Sequence, residues 1–401
     1  MRNITLRRNY LLYLIIIAFF AVFYLYSKHN IGNDSSVSEW LINYNGGFTR
    51  RGMGGEITIF FADLFNISLR KSILLVQIFL HLSYLSLIYY YLKELKVNFL
   101  QLLSLFAPLF LLFPVAEIEA LGRKEIILFI SFLLILIFSD KKFSPLIPNS
   151  ITFFLLPFVC LIWEEIVLFF PFYASVLIIK NDMKSFGEVF KKISIIFLPS
   201  VVTFIYIYLN PISISEHEAM CRFLENKFNE RCYMSASLLV TSTIYFDTLW
   251  VHKNATFIHY IRYIIIFIVG FLPIHILLIK NKFLSNKNFI FNNFRPIYIF
   301  FILYIPCILL FTFGYDWGRW MNILYTFSVL FYFYLLKNFL ISNNLQIKNN
   351  IFKIINKKKI VTITIFVLFA FSWNPKTVIT GDVASFPGYR IPYKFFKIIN
   401  D

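Results

Sequence analysis

The chain consists of long apolar runs separated by short polar segments. A membrane-spanning helix needs about 20 mostly apolar residues, because the bilayer core holds no water that could pair its backbone polar groups. About eleven runs approach this length, so we expect 10–12 spans. The predicted spans are residues 10–26, 72–92, 98–115, 126–138, 147–162, 166–179, 192–209, 257–279, 297–313, 321–338 and 360–373. The pattern predicts an all-α, polytopic membrane protein in which residues 1–401 form a single transmembrane domain.

Two stretches fit this pattern less simply. Residues 147–179 are also compatible with a hairpin that dips into the membrane and returns, with Glu164 and Glu165 at its tip. The sequence "ITIFFADLFNISL" at 57–69 contains Asp63 and predicts an interfacial helix rather than a span.

The distribution of charge along the chain indicates how the protein is oriented in the membrane. Lys and Arg prefer cytoplasmic loops, and the Lys-rich connections 180–192, 280–295 and 337–359 lie on one side when the N-terminus is cytoplasmic. The formal net charge of +17 then belongs to that side and indicates topology, so we expect no nucleic-acid partner. The first apolar run has no small-residue cleavage site after it, which favours an uncleaved signal anchor.

This orientation places three larger segments on the outer face. They are a Gly/Arg loop with the interfacial helix at 27–69, a large loop at 210–256, and a C-terminal tail at 374–401. Cys221 and Cys232 both fall in the large loop, where an oxidising compartment favours a disulfide over two free thiols. No metal-ligand spacing and no nucleotide-binding glycine pattern occurs, so we expect neither a metal nor a cofactor.

Nearly all polar motifs also fall on the outer face. "YNGGFTRRGMGGE" (44–56) combines five glycines with two arginines, and "AEIEALGRKE" (116–125), "WEE" (163–165) and "GYDWGRW" (314–320) follow predicted span ends. A one-sided set of Arg, Glu, Asp, Trp and Gly at the ends of several spans is typical of a membrane active site.

These residue types suit the handling of a lipid-linked sugar. Arginine forms forked hydrogen bonds to phosphate, glycine allows close backbone approach, aromatic rings stack on sugars, and a carboxylate can take a hydroxyl proton. The predicted substrate-binding residues are Arg50, Arg51, Glu117, Arg123, Lys124, Trp317 and Arg319. The predicted catalytic residues are Glu56, Asp316, Glu164 and Glu165, with Glu117, Glu119 and His217 as further candidates for the base.

The same residues have plainer interpretations. Arg50 and Arg51 could be interfacial anchors, and Asp316 and Arg319, three positions apart, could form a local ion pair that closes a loop. The tryptophans of that motif could belong to an interfacial aromatic belt. The concentration of these signals on one face favours the functional interpretation.

The layout of spans and outer loops resembles O-antigen polymerases of the Wzy type and related lipid-linked-sugar glycosyltransferases. The pieces "GGFTRRGMGGE", "LGRKE" and "DWGRW" look like those of membrane proteins encoded among surface-polysaccharide genes. The resemblance implies a multi-pass enzyme of the bacterial inner membrane that acts on the periplasmic face without a metal. Its partners would be a lipid-linked oligosaccharide, membrane lipids and a chain-length regulator. The chain lacks one dominant outer loop with two regularly spaced Arg-to-Gly patterns.

The activity that this resemblance implies is polymerisation of undecaprenyl-diphosphate-linked repeat units, with Arg50, Arg51, Arg123 and Arg319 on the diphosphate. One alternative is a transferase that uses a polyprenyl-monophosphate sugar, with Asp34, Glu39 or Glu56 as the base. Another is a flippase for the same lipid-linked sugar. The small number of charges within the predicted spans makes transport the weaker alternative.

Overall fold

The computed structural model describes residues 4–5, 7–30, 35–241, 244–284, 294–341, 359–379 and 387–400. These residues are almost entirely helical. The α-helices are α1 (Arg7–Lys28), α2 (Ser35–Ser38), α3 (Met53–Phe65), α4 (Leu69–Leu92), α5 (Phe99–Leu105), α6 (Leu112–Ala116), α7 (Ile118–Leu121), α8 (Glu125–Phe138), α9 (Leu146–Ile162), α10 (Phe170–Lys180), α11 (Phe186–Leu209), α12 (Ile214–Phe228), α13 (Met234–Thr241), α14 (Ile244–Asn254), α15 (Phe257–Lys280), α16 (Pro296–Phe313), α17 (Trp317–Lys337), α18 (Lys359–Phe371) and α19 (Pro387–Asn400).

One small antiparallel ladder joins the start of the chain to the end of α4. Strands β1 (Ile4–Thr5) and β2 (Lys96–Val97) pair with Ile4 opposite Val97. Because β1 precedes α1 and β2 follows α4, the ladder fixes these two helices as antiparallel neighbours, and the two helices pack on each other.

Within the described residues, five helices are long and apolar enough to cross a membrane. They are α1, α4, α11, α15 and α16, and three shorter apolar helices, α8, α9 and α18, accompany them. The protein is therefore helical and membrane-embedded. The count of eleven spans and the cytoplasmic N-terminus stay predictions.

Helix α17 forms the centre of the bundle. Every residue from Trp317 to Leu336 is buried, and the helix packs against α8, α10, α15 and α16. Some of its buried polar groups pair with neighbouring elements; the Tyr325 hydroxyl, for example, donates to the carbonyl of Ser104 at 3.0 Å. A helix that is buried all round suits its largely apolar and aromatic sequence.

The continuous span expected over 98–115 is wrong. Helix α5 ends seven residues before α6 begins, and turns fill the interval around Pro108, which lacks the backbone N–H that a helix requires. The side-chain amide of Asn322 in α17 donates to the carbonyls of Leu109 at 2.7 Å and Phe110 at 3.1 Å. Non-helical backbone at this depth is tolerated because neighbouring helices satisfy its polar groups.

Helices α9 and α10 run in opposite directions, an arrangement that two spans and a hairpin returning to the same membrane face would share, so the choice between these alternatives stays open. A 3₁₀ turn, Glu164–Phe169, connects them and places Glu164 and Glu165 at the tip. The expected helix at 57–69 is also present as α3, although it begins earlier and ends at Phe65. Its side chains Phe60 and Leu64 are exposed, which suits a position at a membrane surface.

Among the described residues, those of the predicted outer segments lie at one end of the bundle and those of the predicted cytoplasmic segments lie at the other. At the second end, which we call the lysine end, Lys180 Nζ donates to the carbonyl of Asp140 at 2.6 Å. Lys337 Nζ lies 3.6 Å from the carboxylate of the same Asp140. At the first end, Cys221 and Cys232 are joined by a disulfide that links α12 to the segment before α13.

Candidate functional site

Charged side chains from five separate segments meet at the end of the bundle opposite the lysine end. The segments are the turn after α2, the Gly/Arg loop before α3, the start of α8, the α9–α10 tip and the start of α17. We call this set the charged cluster; its members are Glu39, Arg50, Arg51, Arg123, Lys124, Glu125, Glu164, Glu165, Asp316 and Arg319.

Arg51 connects the Gly/Arg loop to the α9–α10 tip. Its Nε lies 3.1 and 3.0 Å from the two carboxylate oxygens of Glu164, and a terminal guanidinium nitrogen donates to Glu165. Arg50 approaches Glu164 less closely, at 3.8 Å, and donates to the carbonyl of Leu238 at 3.4 Å. One arginine thus holds two adjacent carboxylates by charge-assisted hydrogen bonds.

Lys124 holds the backbone of the Gly/Arg loop in place. Its side chain is fully buried, and its Nζ donates to the Arg51 carbonyl at 2.7 Å and lies 5.7 Å from the Trp40 ring centre. Arg51 has a φ of 64°, a left-handed conformation that is rare for a residue with a side chain. The lysine therefore stabilises a backbone turn that aims the Arg51 side chain at the tip.

The second half of the charged cluster joins α8 to α17. Arg319 donates to both Asp316 and Glu125. Arg123 donates to Glu39 and lies 3.8 Å from Asp316. Since these side chains are largely buried, each charge depends on its partners for stability.

Burial and charge act in opposite directions on the carboxyls of the cluster. Burial opposes ionisation of Glu39, but Arg123 and Arg319 outweigh it and lower the pKa of Glu39 to about 2. Glu164 likewise has a lowered pKa because Arg51 and Arg50 outweigh its burial. At Glu165 burial dominates over Arg51, and with the Glu164 charge beside it the pKa rises to about 7.

Lys124 differs from Arg51 and Arg319 in that burial outweighs the neighbouring charges and lowers its pKa. Burial lowers the pKa of Lys124 to about 7 against the attraction of Glu39, and the positive charge of Arg51 adds to the decrease. Lys124 and Glu165 thus both titrate near neutral pH within one buried site. Such shifted values at a cluster of charged groups are a recognised mark of functional sites.

The glycines of the Gly/Arg loop are needed for close packing against the protein itself. A Cβ on Gly46 would lie 2.0 Å from the carbonyl oxygen of Glu216 in α12, and one on Gly55 would lie 2.0 Å from that of Ile42. Gly54 lies against Lys124, where a Cβ would come within 2.8 Å of Cε. The loop is therefore a tightly packed element that presents Arg50 and Arg51.

Two predicted site residues have local roles outside the charged cluster. Glu56 accepts hydrogen bonds from the backbone N–H of Tyr44 at 2.7 Å and the amide of Asn45 at 3.4 Å, which closes the Gly/Arg loop. Trp317 donates to the carbonyl of Gly314 at 2.9 Å and packs its ring on aromatic residues of α15.

Glu117 also lies outside the cluster, under the segment that follows α18. It accepts from Asn374 at 3.2 Å and Thr377 at 3.4 Å, and lies 3.8 Å from Lys376 Nζ. Among the other candidates for the base, Glu119 is exposed, and Asp34 lies outside the described residues.

His217 belongs to the disulfide region. Its Nε2 lies 3.7 Å from Cys221 Sγ, and with Cys232 these residues form the one His/Cys/Asp/Glu group close enough to hold a metal ion among the residues that the structure describes. Both cysteines are in the disulfide and offer no thiolate ligand.

Two acids have a structural role that the sequence does not indicate. It suggests Glu39 only as a base for the monophosphate alternative and gives Glu125 no role, yet each is the partner of a buried arginine. The available signal is that both acids adjoin apolar segments, where an ionised side chain requires a partner. That signal does not say which arginine the partner is.

The space beneath the charged cluster is small. A cavity of about 20 Å³ is lined by Arg123, Glu125, Arg319, Asn322 and His81, and a neighbouring apolar cavity measures about 30 Å³. Such volumes admit water but no sugar ring. A larger substrate must therefore meet the cluster from its outer side or displace some of its ion pairs.

Chemically, the charged cluster offers arginine donors for an anion and one carboxyl that exchanges a proton near neutral pH. Arg50, with 36% of its side chain exposed, is the most accessible of its arginines. The chain matches no protein-family model, and no curated protein and no solved structure is significantly similar to it.

Proposed function

We propose that this chain is a glycosyltransferase of the bacterial inner membrane that joins undecaprenyl-diphosphate-linked repeat units into a surface polysaccharide, an O-antigen or a capsule. The reaction would take place at the charged cluster, on the periplasmic face. The observation that supports this proposal most is the contact between Arg51 and Glu165, a carboxyl with 24% of its side chain exposed, whose pKa burial raises to about 7. It combines a phosphate-binding group with an acid–base group in one place.

In the proposed reaction, a hydroxyl oxygen of the acceptor unit attacks the anomeric carbon of the donor glycan. A new carbon–oxygen bond forms, the bond from the anomeric carbon to the phosphate oxygen breaks, and undecaprenyl diphosphate leaves with the electron pair. Glu165, in its ionised form, takes the hydroxyl proton. A base with a pKa near the working pH is well matched to this step.

Arg50 and Arg51 would bind the diphosphate. Arg50 is partly exposed and its contacts are long, so it can receive a phosphate without losing a strong ion pair. Arg51 would exchange part of its contact with Glu165 for the phosphate. Because Arg51 opposes the rise in the pKa of Glu165, this exchange would raise that pKa further and make Glu165 a stronger base.

The experiment is a gel of surface polysaccharide from a strain that lacks the gene and is complemented with variants. We expect Arg51→Ala to abolish the ladder of repeat units while the protein still inserts into the membrane. Arg51→Lys should restore activity only partly, because an ammonium group cannot form the forked contact. Arg8→Ala, at an exposed position at the start of α1, is the matched control and should leave the ladder unchanged. Full ladders from both Arg51 variants would contradict the proposal.

Movement of the lipid-linked sugar across the membrane is a second candidate, which the break between α5 and α6 favours. Interrupted helices near the middle of the membrane are common in transporters. The same gel separates the candidates: a polymerase defect leaves one repeat unit on the acceptor, whereas a transport defect leaves none.

If the protein were a monophosphate-sugar transferase, deletion of its gene would leave an intact ladder whose repeat units lack one sugar. Of its candidate bases, Glu39 is held by Arg123 with a pKa of about 2, which makes it a weak base. Glu39 therefore gives this alternative little support.

A further inference from the structure

A polar groove lies between α3 and α12, at the same end of the bundle as the charged cluster. Its volume is about 550 Å³, within the range of sites that hold small organic ligands. The turn after α3 forms one wall and the end of α12 forms the other. We call it the α3–α12 groove; its polar lining residues are Asp63, Asn66, Ser68, Asn226, Lys227 and Asn229.

Three amide side chains in this groove are available to a ligand. Within the described part of the chain, the side-chain amides of Asn66, Asn226 and Asn229 make no hydrogen bond to the protein. Each amide offers both donors and an acceptor, and the hydroxyl of Ser68 also offers both. Sugar hydroxyls have the same double character, so the groove can pair with several hydroxyls of a glycan.

The charges of the groove favour a neutral ligand. Asp63 and Lys227 form an ion pair at 2.7 Å, so neither an anion nor a cation finds an unmatched partner. Phe228 and Ile67 add apolar surface beside the amides. A ring that carries hydroxyls on its edge and C–H groups on its face matches this combination of polar and apolar surface.

The position of the groove relates it to the Gly/Arg loop. Helix α3 begins two residues after Arg51 and ends at the groove, and its 13 residues span about 20 Å. The groove thus lies about one helix length from the Gly/Arg loop, within the reach of a glycan of several sugar units whose reacting end lies at the charged cluster.

We propose that the α3–α12 groove binds a neutral segment of the growing polysaccharide, several sugar units away from the reacting end. The inference rests on the proposed function and deepens it. By retaining the glycan between additions, the groove would lengthen the polymer. Its removal would shorten the chains without preventing the transfer reaction.

The test removes the amides while keeping the backbone. Asn66 and Asn229 have φ values of 49° and 54°, which glycine also adopts, so Asn66→Gly and Asn229→Gly preserve the helix ends. Asn226 lies within α12 and is changed to alanine. The matched control is Asp182→Gly, at a left-handed residue with φ 50° in the α10–α11 connection of the lysine end.

The first measurement is binding of oligosaccharides, released by mild acid from the surface polysaccharide of the host strain, to the purified full-length protein. We expect the triple variant to bind at least about tenfold more weakly than the wild type and the control, since three hydrogen-bonding groups are lost. Absence of binding to the wild type, or equal binding by the triple variant, would overturn the proposal.

The second measurement is the length distribution of the polysaccharide ladder. We expect the triple variant to retain a ladder whose most abundant length is shorter, while Asp182→Gly keeps the normal length. An unchanged length would overturn the role in retention. If deletion of the whole gene left the ladder intact, the proposed function would fail instead, and the binding measurement would still decide whether the groove holds a glycan.

Discussion

One ion pair in the charged cluster is deeply buried, whereas an ion pair at the lysine end is partly exposed. At the charged cluster, only 6% of the Arg319 side chain and 9% of the Glu125 side chain are exposed. At the lysine end, Lys337 and Asp140 are 31% and 29% exposed and lie 3.6 Å apart. Exposed pairs contribute little to stability, whereas buried charges without a partner are strongly destabilising. The Arg319–Glu125 pair therefore depends on its pairing for stability far more than the Lys337–Asp140 pair does.

Glycine use differs between the ends in the same way. In the Gly/Arg loop, glycines allow the backbone to touch neighbouring chain segments, as Gly55 does at Ile42. A methyl group on Gly187, in helix α11 at the lysine end, would have no neighbouring atom within 4 Å. Dense packing and buried charge therefore occur together at the cluster end, in contrast to the surroundings of Gly187.

The largest expected effect is the removal of one partner from the buried pair. Glu125→Ala leaves Arg319 with Asp316 alone in a buried site, and we expect the free energy of unfolding to fall by about 3–5 kcal/mol. Asp140→Ala, the control at the lysine end, should cost at most about 1 kcal/mol. Denaturant unfolding of the purified protein in detergent measures both.

A double variant sharpens this prediction. Replacing both partners, as in Glu125→Leu with Arg319→Met, removes the unpaired charge and should recover much of the lost stability. Equal stability losses for Glu125→Ala and Asp140→Ala would contradict the distinction between the two ends.

The second-largest expected effect is the change in stability when one glycine at each end of the bundle is replaced by alanine. In Gly55→Ala the new Cβ would lie 2.0 Å from the Ile42 carbonyl oxygen, so the backbone must move, and we expect a loss of about 1–3 kcal/mol. In Gly187→Ala the methyl meets no atom, and the helix should gain up to about 1 kcal/mol. The same unfolding measurement applies; a destabilised Gly187→Ala would show that the lysine end is packed as tightly as the cluster end.

Much of this architecture could be predicted from the sequence because apolar run length and charge placement are local properties. The runs that form α4, α11, α15 and α16 are long and uninterrupted, so the expected helices are present. The break between α5 and α6 could not be predicted, since the apolar run continues through Pro108 and the side chain that satisfies the exposed carbonyls, Asn322, lies far along the chain.

The candidate site could be predicted only in part for a similar reason. The motifs containing Arg51, Glu165 and Arg319 meet in space, since span ends on one face of a membrane protein converge. The local ion pair that the spacing of Asp316 and Arg319 allows is present. The pairings of Arg51 with Glu164 and Glu165, and of Arg319 with Glu125, depend on tertiary packing and have no local trace in the sequence. The hydrogen bonds of Glu56 and Trp317 are short-range, but the residue types alone do not distinguish a loop-closing acid or ring from one that contacts a substrate.

The smallest expected effect is the change in the rate of the transfer reaction with pH near neutrality. Glu165 has a pKa raised to about 7, and a base acts in its ionised form, so kcat/KM should rise with pH below about 7 and level off above it. Between pH 7 and 8 the ionised fraction increases about twofold. Glu188, a partly exposed acid near the lysine end, has a pKa lowered by its hydrogen bond with Lys192 and is ionised throughout this range, so Glu188→Gln should keep the profile. Glu165→Gln should be slow at every pH, and its rate should no longer rise near pH 7. If the rate of Glu165→Gln still rises near pH 7, the rise belongs to another group, and Lys124 is the next group to examine.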